Sequence, residues 1–178
     1  MVTIEEIQAA YYVAAATGVL VAAVYYMMNL RETTRNRRVT LTNTLMQTFT
    51  SEEGIKRYNE LVSMEWTDFD DFVSKYDSTV NFDNWMKRTI VWNACEVIGY
   101  QYRTKMIDFN IVFTTCNTFV PILWTKFKPI IEEYVRRGVN PKLMYENFEY
   151  LADEINRVMK QREPTFDGAK NYLRVPTK

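Results

Sequence analysis

The chain has 178 residues, with 22 basic and 22 acidic side chains and no histidine. That length holds one domain and an anchor segment. The missing histidine excludes Ser–His and Cys–His nucleophile pairs and removes the commonest metal ligand. A zero net charge argues against a nucleic-acid partner, which usually demands a basic excess.

From Ile7 to Leu30 the sequence carries no charge and includes seven alanines. At 1.5 Å per residue this stretch reaches about 36 Å, enough for a hydrocarbon core of about 30 Å. Glu5 and Glu6 precede it, and Arg31, Arg35, Arg37 and Arg38 follow it. The basic flank predicts a single-pass protein of the cell membrane, with its N-terminus outside and the bulk of the chain cytoplasmic. A cleaved signal peptide needs a basic start, and this one is acidic. Tyr11, Tyr12, Tyr25 and Tyr26 suit the membrane interfaces.

The span is alanine-rich and weakly lipophilic for its length. Ala10, Ala14, Gly18 and Ala22 recur at every fourth residue and form a smooth stripe on one helix face. Small residues at that spacing let helix backbones approach closely in lipid. The expected partners are other membrane subunits, a second copy through the same helix, and the bilayer itself. Arg31, Arg35, Arg37 and Arg38 continue as a basic juxtamembrane helix, a stop-transfer element and a contact for anionic lipid heads.

Thr40 to Phe49 extends this helix, with Leu41, Leu45 and Phe49 on one side. Ser51 reads as the N-cap of the next helix, ahead of Glu52 and Glu53. Ile55, Tyr58, Leu61 and Val62 form its apolar face. Thr67 or Asp68 caps a short helix that turns Phe69, Phe72, Val73 and Tyr76 inward and leaves Asp70 and Asp71 in water. A calcium loop at Asp68, Asp70 and Asp71 would lack its glycine and its distal glutamate.

Asn81 to Asp108 carries the longest helix of this part. Trp85, Met86, Ile90, Val91, Trp92, Ala94, Val97, Ile98 and Tyr102 make it apolar on several sides, as a central helix is. Glu96 lies within that run, so its buried carboxylate needs a partner: Arg103, Arg88 or a basic group from another helix. Gly99 follows where alanine would be the better helix former by about 1 kcal/mol, which predicts a close helix crossing. Cys95 and Cys116 show no CxxC spacing, so neither a zinc site nor a redox motif is indicated.

Phe109 to Arg137 is helical and apolar, starts at an Asp108 cap, and is kinked or broken near Pro121. It is expected to pack on the Trp85–Tyr102 helix. Val112 to Trp124 is too short for a second span. Gly138 stops this region, and Asn140-Pro141 is expected to open the last helix as N-cap and N1. Leu143, Met144, Phe148, Leu151, Ile155, Val158 and Met159 form the stripe of that helix, which Pro164 ends. Phe166, Tyr172, Leu173 and Val175 belong to an extended tail.

The division is therefore 1–30 transmembrane anchor, 31–50 basic juxtamembrane helix, 51–162 cytoplasmic helical domain and 163–178 tail, an all-α fold ending in a small helical bundle. No phosphate loop, GxSxG element or metal spacing is present, so neither an enzyme nor a cofactor is expected. The expected role is a structural or accessory subunit of a membrane complex. The alternative is a tethered signalling or scaffolding domain that recruits a cytoplasmic partner through the tail and the aromatic-acidic segment 64–76.

Three short runs carry a resemblance: Phe82-Asp83-Asn84-Trp85, Cys95-Glu96-Val97-Ile98-Gly99-Tyr100 and Lys105-Met106-Ile107-Asp108. With the anchor and basic helix before them, they resemble a family of prokaryotic single-pass proteins known as a domain of unknown function. Its Glu-x-Ile-Gly-like element and its Trp on the following helix match Glu96, Gly99 and Trp124. The resemblance implies the anchored helical fold and no activity.

Overall fold

No proline interrupts Ile4 to Thr50, and its alanines favour helix, giving α1 (Ile4–Thr50), 47 residues and about 70 Å long. The computed structural model describes residues 3–141 and 143–165. The side chains of Leu41 and Leu45, and the tail residues Phe166, Tyr172, Leu173 and Val175, lie outside the described residues. The chain divides into two units, Met1–Leu41 and Thr42–Lys178. The described residues of both are helical, with no strand.

In the first unit, Ile4–Thr40 is long and apolar enough to cross a membrane. None of its most apolar stretch is buried within the chain. The helix therefore gains nothing from the hydrophobic effect inside its own protein, where each buried Val or Leu contributes about 1.5–3 kcal/mol.

The second unit begins inside α1. Thr42, Met46 and Phe49 are buried, so the last turns of α1 belong to the bundle. Ser51 then reverses the chain, its side chain accepting from the Gly54 N–H at 3.0 Å, as the sequence predicts. α2 (Glu52–Val62) starts so close to the end of α1 that a Cβ on Gly54 would lie 2.2 Å from the Thr48 carbonyl oxygen.

Asp68 caps α3 (Phe69–Tyr76) through the Asp71 N–H, and Phe72 is fully buried. Asp71 also accepts from the Thr67 N–H and from Lys75, and Asp70 pairs with Arg137 at 2.7 Å. The three aspartates are thus spent on a cap and two ion pairs.

α4 (Phe82–Arg103) follows, with Asn81 as its cap. It ends five residues before Asp108 because Lys105 adopts a left-handed conformation, φ 57°, and Met106 N–H returns to the Gln101 carbonyl. Asp108 then caps α5 (Phe109–Cys116). The break at residues 117–118 precedes α6 (Phe119–Arg136) and places Pro121 in its first turn, where a missing N–H costs nothing. Pro129 remains inside α6.

α7 (Glu146–Arg162) closes the unit, packing mainly against α4 and then against α6. α6 leans on α7 and α2 more than on α4, which it reaches chiefly through side chains such as Phe127 against Trp92, ring centroids 5.2 Å apart. Phe49, Phe72, Phe127 and Phe148 are fully buried. Trp66 joins two of them, at 5.1 Å from Phe72 and 5.4 Å from Phe127.

Two expectations are corrected. α7 does not open at Asn140-Pro141 but at Glu146, with Tyr145 left-handed at φ 68° and no side-chain cap of its own. Leu143 and Met144 therefore precede the helix and stay exposed. Met86, Ile90 and Val97 are likewise exposed rather than inward, because α4 is covered on one side only.

Candidate functional site

The residues singled out from sequence fall into two groups, one in each unit. Ala10, Ala14, Gly18 and Ala22 share a stripe of α1 and are exposed, and a Cβ on Gly18 would meet nothing within 4 Å. Arg31, Arg35 and Arg38 line a shallow open groove with Leu30 and Thr34. Arg37 points elsewhere, about 120° round a helix that turns 100° per residue.

Glu96 belongs to the second group; the expected burial is corrected, since it sits half-buried at the edge of the core. Its Oε2 accepts from the backbone N–H of Phe148 at 2.8 Å, and its Oε1 accepts from the Asn147 side-chain amide at 2.7 Å. The first N–H groups of a helix have no partner within it, and the positive end of the helix dipole attracts a carboxylate. Glu96, on α4, thus supplies the cap that α7 lacks locally. The expected pairing with Arg103 or Arg88 is corrected. Arg103 instead holds Glu146 at 3.0 Å and reaches the Asn147 Oδ1 at 3.4 Å.

Gly99, one turn further along α4, makes this possible. A Cβ there would lie 2.0 Å from the Asn147 carbonyl oxygen. The two backbones meet at Gly99 because it has no side chain, and the carboxylate one turn earlier then reaches the helix start. Glu96 and Gly99 act as one docking element for α7.

Arg88, named from the sequence only as a partner for Glu96, is a buried cation that sequence reasoning missed. It is 2 % exposed, with its guanidinium 4.6 Å from the Phe72 ring centroid and 5.2 Å from that of Trp92. Burial holds its pKa below the usual arginine range, opposed by the charge of Asp77 and the Tyr134 hydroxyl. Burial also raises Tyr134 and Tyr145 beside it. An arginine stays protonated in such a place, so the aromatic faces supply part of the stabilisation that water would have given. Its spacing to Trp92, one helical turn, is the only signal in the sequence. Lys126 plays a related part: its ammonium donates to the Met64 carbonyl at 2.6 Å over the Trp66 ring, and burial lowers its pKa.

Cys95 and Cys116 are free and buried. Burial raises both thiols, Cys116 to about 12, so neither offers a thiolate near neutral pH. A cleft of about 210 Å³ opens between α6 and α7, lined in part by Trp124, Tyr145, Glu132, Glu146 and Glu149. It is smaller than the usual ligand pocket of about 300–1,000 Å³. Lys128 bridges Glu149 at 2.7 Å and Glu132 at 3.7 Å, so its acidic wall is already neutralised in part.

Neither a curated protein nor a solved structure matches the chain. The model of one family, a domain of unknown function (DUF4760), matches residues 12–155, from inside the apolar part of α1 to the buried Ile155 of α7. It takes in Glu96, Gly99 and Trp124, the residues on which the sequence resemblance rests. The chain belongs to the DUF4760 family, a domain of unknown function.

Proposed function

We propose that the chain is a non-catalytic, single-pass membrane protein, an accessory or structural subunit of a membrane complex. The observation that carries this reading is the exposure of α1. Val13, Leu20 and Val21 are each at least 63 % exposed on a helix of membrane-spanning length. Lipid or another membrane helix is the environment in which such side chains are stable. The acidic start and the arginines after Leu30 orient the span with Thr42–Lys178 on the cytoplasmic side. Ala10, Ala14, Gly18 and Ala22 then form the face on which a second membrane helix packs, and Arg31, Arg35, Arg37 and Arg38 meet the anionic lipid heads.

Glu96 supports a structural role for the domain. Both of its oxygens are occupied in holding α7. A carboxylate engaged in this way does not serve as a general base without releasing the helix it caps.

Blue-native electrophoresis of membranes solubilised in mild detergent tests the reading. The chain should migrate in a complex, and replacing Ala14 and Gly18 together by leucine should shift it to a smaller species while it remains in the membrane fraction. A single band at monomer mass for the unaltered chain refutes the accessory-subunit reading. The second reading, a tethered scaffold for a cytoplasmic partner, draws support from the exposed apolar side chains of α4.

A further inference from the structure

A buried cation normally lies against a carboxylate, because an unpaired charge away from water is costly. Arg88 is almost wholly buried on α4, and among the described residues it forms no ion pair. The charge of Asp77 and the Tyr134 hydroxyl favour its charged form. Asp77, however, lies beyond ion-pair distance and accepts instead from the Thr79 hydroxyl at 3.3 Å. The tyrosines beside Arg88 do not cancel its charge either. Burial raises the Tyr134 and Tyr145 hydroxyls, so both stay neutral near neutral pH. The faces of Phe72 and Trp92 soften the charge without neutralising it.

A second donor beside Arg88 stands in the same position. The Arg88 Nη1 and the Trp92 Nε1 are both buried, and neither has an acceptor among the described residues. Trp92 is 3 % exposed. The two residues stand one turn apart on one face of α4, with the guanidinium 5.2 Å from the indole ring. Buried N–H groups are almost always satisfied. Two neighbouring ones, the first on a cation, call for an acceptor that carries negative charge.

We propose that the Arg88 Nη1 and the Trp92 Nε1 together bind a small monovalent anion of the halide class inside the bundle. Water would meet the donors but leave the charge in place. A halide accepts from both N–H groups and neutralises the guanidinium as well. Trp92 meets Phe127 and Tyr145 edge to face, with centroids 5.2 and 5.4 Å apart, so ring edges border this region. Those edges carry positive charge and suit an anion. The enclosure narrows the class: an ion here sheds its water, which costs a singly charged halide less than a phosphate or a sulfate.

The surrounding residues give the ion a structural effect. Phe72 lies on α3, Trp92 on α4, Tyr134 on α6 and Tyr145 just ahead of α7. An ion that neutralises the charge among them stabilises the packing of all four segments, and binding is then read as stability of the folded bundle. This inference is independent of the membrane reading above.

Thermal unfolding of the full chain in mild detergent, followed by tryptophan fluorescence, tests it. Trp66, Trp85 and Trp124 report in every variant. Sodium chloride or sodium bromide replaces sodium gluconate at constant ionic strength. Either halide should raise the midpoint, saturably, by about 3 °C or more, as a ligand at about ten times its dissociation constant does. Arg88→Met removes the charge and keeps an unbranched chain, and it should abolish the halide-specific rise. Trp92→Phe keeps a ring and removes one donor, and it should raise the half-saturating halide concentration by about three-fold or more. Lys56→Met, at an exposed cation, should leave the rise unchanged. Equal midpoints of the unaltered chain in halide and gluconate overturn the proposal, since water or the rings then suffice. A rise that Arg88→Met retains, or that Lys56→Met removes, overturns it as a general surface effect. If Arg88→Met fails to fold, Trp92→Phe decides, and an unchanged half-saturation overturns the proposal.

Discussion

Leu20 and Leu61 are the same side chain in the same kind of helix, yet Leu20 is 66 % exposed and Leu61 is fully buried. The contrast runs through both units. The apolar face of α1 has no counterpart within Met1–Leu41, while Thr42–Lys178 closes over Phe49, Phe72, Phe127 and Phe148. The stability of the bundle is written in its own contacts. The apolar part of α1 has no such contacts of its own. Their glycines repeat the difference: a Cβ on Gly18 meets open space, and a Cβ on Gly99 meets the backbone of Asn147 at 2.0 Å.

The sharpest separation of the two units comes from Phe127→Ala. It should cost the bundle about 3–5 kcal/mol, the usual range for emptying a buried aromatic site. Membrane association should not change. Denaturant unfolding followed by tryptophan fluorescence reads this cleanly, because Trp66, Trp85, Trp92 and Trp124 all lie in the bundle.

The paired glycine substitutions come next. Gly99→Ala should destabilise the bundle by about 1–3 kcal/mol, since crowding at the α7 backbone outweighs the helix-propensity gain of about 1 kcal/mol. Gly18→Ala should leave the bundle midpoint unmoved. Equal effects from the two glycines would erase the distinction between a helix crossing inside the chain and a face turned outward.

Glu96→Ala should cost about 0.5–2 kcal/mol, the range for losing a helix cap. Hydrogen exchange should quicken first at the start of α7, at the Phe148 backbone amide that Glu96 holds. Protection unchanged at that amide would refute the capping role.

The smallest effect is electrostatic. Arg136 and Arg137 beside Glu133 hold its carboxyl down at about 2, below the usual 4.5. A carboxylate depressed in the folded state contributes stability above its unfolded pKa and loses it as pH falls toward the folded value. Glu133→Gln should therefore flatten the acid dependence between about pH 4.5 and 2, and only slightly, because these groups are on the surface and screened by salt.

Local signals were legible in the sequence where the partner is local. Ser51, Asp68 and Asp108 cap their helices through N–H groups two or three residues away, and each was readable as a polar residue ahead of a helix. The start of α7 was not, because its cap comes from Glu96, some fifty residues earlier, and Asn140-Pro141 offered a plausible local signal that tertiary contact overrode. Glu96 and Gly99 both stood out as anomalies in an apolar helix, but a one-dimensional reading paired the carboxylate with an arginine. Nothing distinguished Ile90 from Ile98: both are apolar residues of one helix, and only the placement of α7 leaves the first exposed and the second buried. Arg88 was unreadable as a buried group because its compensation comes from rings on two helices, the Tyr134 hydroxyl and the charge of Asp77, none of which the sequence alone places beside it.

The claim that the first unit is completed by a membrane is tested most directly by alkaline carbonate extraction of membranes from cells that make the full chain. The unaltered chain should remain in the sedimented membranes. A chain carrying Leu20→Arg and Val21→Asp should be released, since each charge near the centre of a span costs about 2.5–3.5 kcal/mol on insertion. Recovery of the unaltered chain in the supernatant, with its tryptophan fluorescence still that of a folded bundle, would contradict the account.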